Sequence, residues 1–179
     1  MAKVFLARHG RTAYNHERRF QGQLPVELDD VGRQQARELA AQASEHDFAV
    51  LWSSPLRRAR ETADIVAASI GLEPREDARL METDAGDWTD RTFADVQADE
   101  PAEFQRFVAL DPTFAFPGGE SFAAQRVRVE AALADVRNGP LPALVVCHGV
   151  VIRLALTRQN GSDEPPARIE NAALVPLGD

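Results

Sequence analysis

Two short apolar runs in this chain each end in a histidine followed by glycine: Val4-Phe5-Leu6-Ala7-Arg8-His9-Gly10 and Leu144-Val145-Val146-Cys147-His148-Gly149. An apolar run closed by a polar residue and glycine reads as a buried parallel strand that stops where the chain must turn. In an open α/β sheet the carboxyl edge of such strands is where ligands bind, so two imidazoles far apart in sequence are expected to meet across one crevice.

Strand signals fall at residues 3 to 7, 48 to 52, 73 to 77, 143 to 147 and 171 to 176, with helical patterns between most of them. This alternation predicts a three-layer α/β/α sandwich built on a mostly parallel sheet. A chain of 179 residues with 44% hydrophobic content fits one domain spanning residues 1–179. The clearest helix has Ser54 as N-cap, Pro55 at its first position and Gly71 as its stop. Its apolar residues Leu56, Ala59, Ala63, Val66 and Ile70 step by three and four. Further helices are expected over about 30 to 45 and 120 to 137. Between Glu82 and Gly119 the pattern changes: Trp88, Phe93, Phe104, Phe107, Phe114 and Phe116 lie in an acidic, Pro-punctuated stretch. A small helical cap, inserted over the sheet edge at about residues 82–118, is the expectation. Its aromatics read equally as a satellite core and as a substrate wall.

Composition narrows the partners. No run approaches the roughly 18 apolar residues of a membrane helix and no basic region precedes a long apolar stretch, so the chain is read as soluble, cytoplasmic and without a membrane partner. Cys147, the single cysteine, sits in an apolar run; that excludes an internal disulfide and a cysteine metal cluster and fits a reducing compartment. The net charge of −8 is uneven. Residues 73–103 carry eleven acids against Arg75, Arg79 and Arg91, whereas residues 1–60 hold ten Lys and Arg against seven acids. Such a polarity focuses a small anion into a cleft, while a nucleic-acid backbone would also meet the acidic stretch, so no nucleic acid is expected. No signature of an oligomer interface stands out.

Arg8, His9, Gly10, Arg11 and Thr12 place two guanidinium groups and an imidazole where a helix begins, the outline of a phosphate pocket. Alone, such a cluster reads more readily as surface cations beside a strand-end histidine with a satisfied hydrogen bond; the second histidine and the second arginine pair shift the reading toward a pocket. On the helix after Ser54, Arg57 and Arg60 each have a carboxylate four residues on, Glu61 and Asp64, whereas Arg58 does not. Arg58 is therefore a candidate clamp for an oxyanion. Positive neighbours disfavour imidazolium, so His9 should be neutral with a free lone pair, a nucleophile beside a phosphoryl group. Arginines would repel a divalent metal and no Asp or Glu flanks either His-Gly turn, so neither metal nor cofactor is expected. Glu82 is a candidate acid for a leaving alkoxide, with Leu80, Met81 and Trp88 as an apolar setting. His16 and His46 lie in polar surroundings and read as surface residues.

Taken in order, these pieces resemble the histidine phosphatase superfamily, also called the phosphoglycerate mutase-like family. Arg8-His9-Gly10-Arg11-Thr12-Ala13-Tyr14-Asn15 is similar to its R-H-G-x-T-x-x-N signature. Phe20-Gln21-Gly22, Ser53-Ser54-Pro55-Leu56-Arg57-Arg58-Ala59 with Thr62-Ala63, Leu80-Met81-Glu82, Pro117-Gly118-Gly119-Glu120-Ser121 and Val146-Cys147-His148-Gly149 follow in the family's order. The resemblance implies that His9 attacks the phosphoryl group and is transiently phosphorylated, that Arg8, Arg58 and His148 hold its oxygens, and that Glu82 is the general acid. Asn15, Gln21 and Gly149 match positions around the phosphate. Three departures stand out: Thr89-Asp90 where the family often has Glu-Gly, Val150 where a second glycine is frequent, and a short tail after Leu156, from which no extended contribution to the site is expected.

The interval Thr83 to Phe116 has only Arg91 and Arg106 as cations, whereas the mutases that this chain resembles carry a basic insertion there. The expectation is a metal-independent phosphomonoesterase acting on a small organic phosphate, a sugar phosphate or similar metabolite. A phosphoglycerate mutase and a non-catalytic phosphoester-binding module are the alternatives.

Overall fold

The computed structural model describes residues 3–160 and 166–178. Five strands, β1 (Val4–Arg8), β2 (Val50–Ser53), β3 (Pro74–Glu76), β4 (Ala143–Cys147) and β5 (Leu174–Leu177), form one sheet in the order β3-β2-β4-β1-β5. All neighbours are parallel except β5, which runs antiparallel to β1 at the edge. Pro176 is tolerated there because an edge strand leaves one side of its backbone unpaired. The expected start of β5 at residue 171 is displaced to Leu174. Ala172 adopts a left-handed φ of 58° and its N–H donates to the Arg8 carbonyl, so this stretch is a turn first.

Helices α1 (Ala13–Glu17), α2 (Asp30–Ala43), α3 (Arg57–Ile70), α4 (Phe93–Asp99), α5 (Pro101–Val108), α6 (Phe122–Asn138) and α7 (Gly149–Asn160) complete the fold. Alternate strand residues face opposite ways, and the helices sort accordingly. Val4, Leu6, Val145 and Cys147 pack on Val129, Leu133 and Val136 of α6 and on Val151 and Ile152 of α7. Ala7, Leu51, Leu144 and Val146 pack on Leu39 and Ala43 of α2 and on Ala59, Ala63 and Val66 of α3. That is the three-layer α/β/α arrangement. The chain leaving β1 crosses to one face and the chain leaving β4 to the other, so a crevice opens between the carboxyl ends of two adjacent strands.

The start of α3 corrects the expectation of a Ser54 cap. Its N-cap is Leu56, with no side-chain cap bond, and the helix begins at Arg57. The Ser54 hydroxyl is engaged by a histidine instead, as described below. The stop is as expected: Gly71 is left-handed, φ 70°, and its N–H bonds to the Ala67 carbonyl. The expected Arg57–Glu61 pair is also absent. Glu61 accepts from the Leu28 N–H at 2.7 Å and meets Arg33, while Arg57 reaches Glu27.

Over the sheet edge, α4, α5 and a 3₁₀ turn at Gly86–Trp88 enclose an aromatic core of their own. Phe20, Trp88, Phe107, Phe114, Phe116 and Phe122 contact one another with centroids near 5–6 Å, many of them edge-on. The acidic charge of this cap is partly neutralised within it: Arg91 bridges Asp99 and Glu100, and Arg106 bridges Glu103 and Asp111.

Candidate active site

The register of the sheet brings the two histidines together. Arg8 of β1 pairs with Cys147 of β4, so the next residue on each strand is a histidine, and the two rings lie with centroids 5.2 Å apart. The His9 N–H donates to the Cys147 carbonyl at 3.0 Å, and Asn171 Nδ2 donates to the His9 carbonyl at 3.0 Å. Glycine follows His9 because the backbones approach closely: a Cβ on Gly10 would lie 2.3 Å from the Gly32 carbonyl oxygen at the start of α2. The Gly10 N–H is held by Thr62 Oγ1 of α3, which in turn donates to the Arg58 carbonyl.

Each imidazole has one nitrogen engaged by a partner. Nδ1 of His9 lies 2.7 Å from the Gly10 carbonyl oxygen; it must carry the hydrogen, which leaves a lone pair on Nε2. His148 is held at the opposite nitrogen. The Ser54 hydroxyl accepts from the Leu56 N–H and shares a 2.8 Å hydrogen bond with His148 Nε2, in which either group can donate. Its other nitrogen, Nδ1, is buried without a hydrogen-bond partner among the described residues. Burial, followed by the charges of Arg58 and Arg8, holds the His9 imidazolium well below its usual range. Burial and then Arg58 do the same for His148. Both rings are neutral near pH 7.

Two guanidinium groups flank them. Arg58, on the first turn of α3, is fully buried and donates to the carbonyls of Leu24 at 3.0 Å and Gly22 at 2.8 Å. Arg8 donates to the Ile169 carbonyl at 2.5 Å. The Nε of each is buried without a partner. Burial brings both down to about 10, opposed in each case by the negative charge of Glu82, so both remain cationic. Two desolvated cations with unused donors form a site whose unmet requirement is an anion.

Glu82 lines the same cavity but not in the apolar setting expected for it. Leu80 belongs to the sheet core and Trp88 to the cap core, and the carboxylate meets polar donors instead. Oε1 accepts from the Thr83 N–H at 2.9 Å and from Gln125 Nε2 at 3.3 Å, while Oε2 accepts from the Val150 N–H at 3.3 Å. Arg128 of α6 holds the strand of backbone behind it, donating to the carbonyls of Arg79, Met81 and Glu82. Asn15 caps α1 together with Thr12 and accepts from Asn171; Gln21 accepts from the Thr12 hydroxyl at 2.9 Å. A Cβ on Gly149 would lie 3.3 Å from Arg8 Nε. Bare backbone here leaves the guanidinium room at the start of α7.

These side chains converge on one cavity of about 480 Å³, within the range for a small-molecule site. Arg8, His9, Asn15, Gln21, Arg58, Glu82 and Gly149 line it, and His148 lies enclosed behind them. His16 and His46 are exposed and do not line this cavity; the His46 ring lies tilted against Phe5 and Phe48. Among the described residues no group of three His, Cys, Asp or Glu side chains could hold a metal ion, and no helix is long and apolar enough to cross a membrane.

Two departures from the sequence pattern become intelligible. Asp90 stands where glycine is frequent because the position is left-handed, φ 68°, a conformation aspartate tolerates, and its carboxylate accepts from the Tyr14 hydroxyl. The expectation of no tail contribution is corrected: Pro166, Ala167, Arg168 and Ile169 line the cavity, and Asn171 reaches His9. Sequence reasoning also missed Ser54, Gln125 and Arg128. Ser54 looked like a helix cap, and the other two lie on α6, whose sequence carries no local motif.

The family model for the histidine phosphatase superfamily (branch 1) matches residues 4–177. Phosphoserine phosphatase 1 of Hydrogenobacter thermophilus is 35% identical over 155 residues, covering 86% of this chain and 74% of that one. Phosphoglycerate mutase-like protein 4 of Arabidopsis thaliana is 36% identical over 179 residues, 97% of this chain and 77% of its own length. Among solved structures, a mycobacterial glucosyl-3-phosphoglycerate phosphatase complexed with VO3 superposes with a TM-score of 0.85 at 32% identity, covering 97% of this chain and 91% of that one. A phosphoserine phosphatase from Entamoeba histolytica in complex with 3-phosphoglyceric acid gives 0.82 at 28% identity, covering 97% and 89%.

Proposed function

This chain belongs to the histidine phosphatase superfamily and is a phosphatase of small organic phosphates, and we propose that it hydrolyses them through a phosphohistidine on His9. The observation that carries the mechanism is a neutral, buried imidazole with a free Nε2 set between two buried guanidinium groups whose Nε atoms have no partner. In this reading the phosphoryl oxygens take the unused donors: Nε of Arg8, Nε of Arg58 and the Nδ1–H of His148. Charge developing on those oxygens is stabilised by fixed groups already stripped of water, so little reorganisation is needed at the moment of reaction.

His9 Nε2 attacks phosphorus in line, the P–N bond forms, and the ester P–O bond breaks. The ester binds as its monoanion, and Glu82 relays that phosphate proton to the departing alkoxide. The Glu82 carboxylate then takes a proton from water as that water attacks the phosphohistidine, the P–N bond breaks, and inorganic phosphate leaves with His9 restored. Arg8 and Arg58 carry the electrostatic load that a metal ion carries in other phosphatases, so no step requires one. Asn15 and Gln21 orient the phosphate from the α1 side, and Gly149 leaves the Arg8 guanidinium room beside it. Residues 1–179 act as a single unit in this account, with the cap over about 82–118 covering the alcohol half.

Hydrolysis is favoured over mutase chemistry by the cap itself. Its two cations, Arg91 and Arg106, are each already held between two carboxylates and are not free to grip a second anion. Relatives named for phosphoserine and for glucosyl-3-phosphoglycerate show that the scaffold serves different small phosphates. We place the protein in the cytoplasm; Cys147, a buried thiol whose ionisation is pushed up by burial, supports that reading as a cysteine suited to a reducing compartment. Rapid quench of the enzyme with a labelled phosphomonoester tests the mechanism. Label is expected on histidine during turnover and absent from the His9→Ala variant; hydrolysis by that variant at the wild-type rate would overturn it.

A further inference from the structure

The cavity is larger than a phosphate needs, and its outer half has a composition of its own. One wall is apolar, made by Phe93, Phe104, Phe107, Val108 and Phe116 of the cap. The other is the tail segment Pro166 to Ile169, which is tied down at both ends: Arg153 Nε donates to the Pro166 carbonyl at 3.0 Å, and Arg8 Nη1 donates to the Ile169 carbonyl. Arg168 lies between these ties, lines the cavity, and has no hydrogen bond or ion pair among the described residues. Arg153, one turn into α7 from Gly149, is part-buried and donates to two carbonyls, those of Pro166 and Val108, and among the described residues meets no carboxylate. Burial and the charge of Arg168 both press on it.

The cap arginines are paired with acids, so two guanidinium groups that have no acid partner among the described residues stand out on this wall. The phosphate end already accounts for Arg8 and Arg58, and Glu82 is committed to the leaving oxygen. Arg153 and Arg168 therefore form a second cationic point, beyond the first and facing aromatic rings. Arg153 has Nη1 left to donate, and Arg168 has its whole fork; together they suit a planar monoanion.

We propose that the outer half of the cavity binds a carboxylate carried by the alcohol part of the substrate, held by Arg168 and Arg153 while an apolar body lies against the cap phenylalanines. The substrate class is then a phosphomonoester of an alcohol with an apolar body and a carboxylate, rather than a neutral polyol phosphate. This rests on the phosphatase reading for the identity of the other end.

Equilibrium binding of phenyl phosphate and 4-carboxyphenyl phosphate to the His9→Ala variant tests it, alongside steady-state hydrolysis of both by the wild type. The carboxylate-bearing ester should bind about tenfold tighter, the scale of one charge-assisted hydrogen bond. Arg168→Gln, at an exposed position that a glutamine fits without repacking, should bring the ratio of the two affinities close to one. Equal affinities for the two esters in the starting variant, or a ratio that survives Arg168→Gln, would overturn the subsite. Failure of the wild type to hydrolyse either ester, with the binding preference intact, would instead count against the phosphatase reading and leave the subsite standing.

Discussion

Ser54 and His148, which follow the adjacent strands β2 and β4, share one hydrogen bond of 2.8 Å that ties the buried imidazole to the loop before α3. The same hydroxyl accepts from the Leu56 N–H; in the proposed mechanism it gives its own hydrogen to Nε2, and the ring then offers Nδ1–H to the phosphoryl oxygens. A residue that looks in sequence like an ordinary helix cap is instead the side-chain partner of the second histidine.

Ser54→Ala should lower kcat by up to about tenfold, the worth of a single buried hydrogen bond. KM should change little, because the phosphate ester still meets both guanidinium groups. Steady-state kinetics with Ser54→Thr restoring the rate would separate the hydroxyl's role from packing; an unchanged kcat in Ser54→Ala would show that His148 needs no such partner.

Glu82→Gln keeps the shape of the acid and its bonds from Thr83 and Val150 within reach but removes the proton relay. A fall in kcat of about 10²–10⁴ is expected for esters of poorly acidic alcohols. With an activated leaving group such as 4-nitrophenolate the first step should be largely spared, and single-turnover measurements should show phosphohistidine accumulating.

The histidines make the unliganded protein acid-sensitive. Their folded-state pKa values lie well below 6.5, so the unfolded chain binds more protons once the pH falls toward that value. Their contribution to stability is complete above about 6.5 and is lost as the pH drops toward the folded values. Thermal melts between pH 7.5 and 5 should show Tm falling with acid, and His9→Ala should flatten part of that slope. A Tm independent of pH over this range would contradict neutral, buried rings.

Two buried cations destabilise the empty pocket, and an oxyanion relieves them. Phosphate or orthovanadate at 100 times its Kd should stabilise the fold by about 2.7 kcal/mol through mass action alone. The same melt with Arg58→Met should lose most of the shift, since the remaining guanidinium meets the anion from one side only.

Gly10→Ala places a methyl group against the Gly32 carbonyl, where the separation would be 2.3 Å. Overpacking of this kind costs about 1–3 kcal/mol. The loop that carries His9 must shift to relieve it, so denaturant midpoint and kcat should fall together.

Much of this molecule is written locally. The apolar runs of β1 and β4, the three-and-four spacing of α3 and the glycine that stops it are one-segment signals, and the structure follows them. His9, Arg8, Arg58 and His148 were legible because each sits at the end of such an element. What sequence could not supply were partners chosen by the third dimension. Glu61 took a backbone N–H from Leu28 instead of pairing with Arg57; Gln125 and Arg128 reach the acid loop from a helix with no motif; and the tail folds back over the pocket through bonds to Arg8 and Arg153 that no spacing encodes.

Phe20 is built into the aromatic core of the cap, and the next residue, Gln21, reaches into the phosphate pocket. The backbone on either side is stitched to the cap as well, Phe20 N–H to the Arg91 carbonyl and Asp90 N–H to the Phe20 carbonyl. In the proposed mechanism, an alcohol that displaces the cap would carry the Gln21 amide with it, so that selectivity for the far end of an ester would be felt at its reacting end.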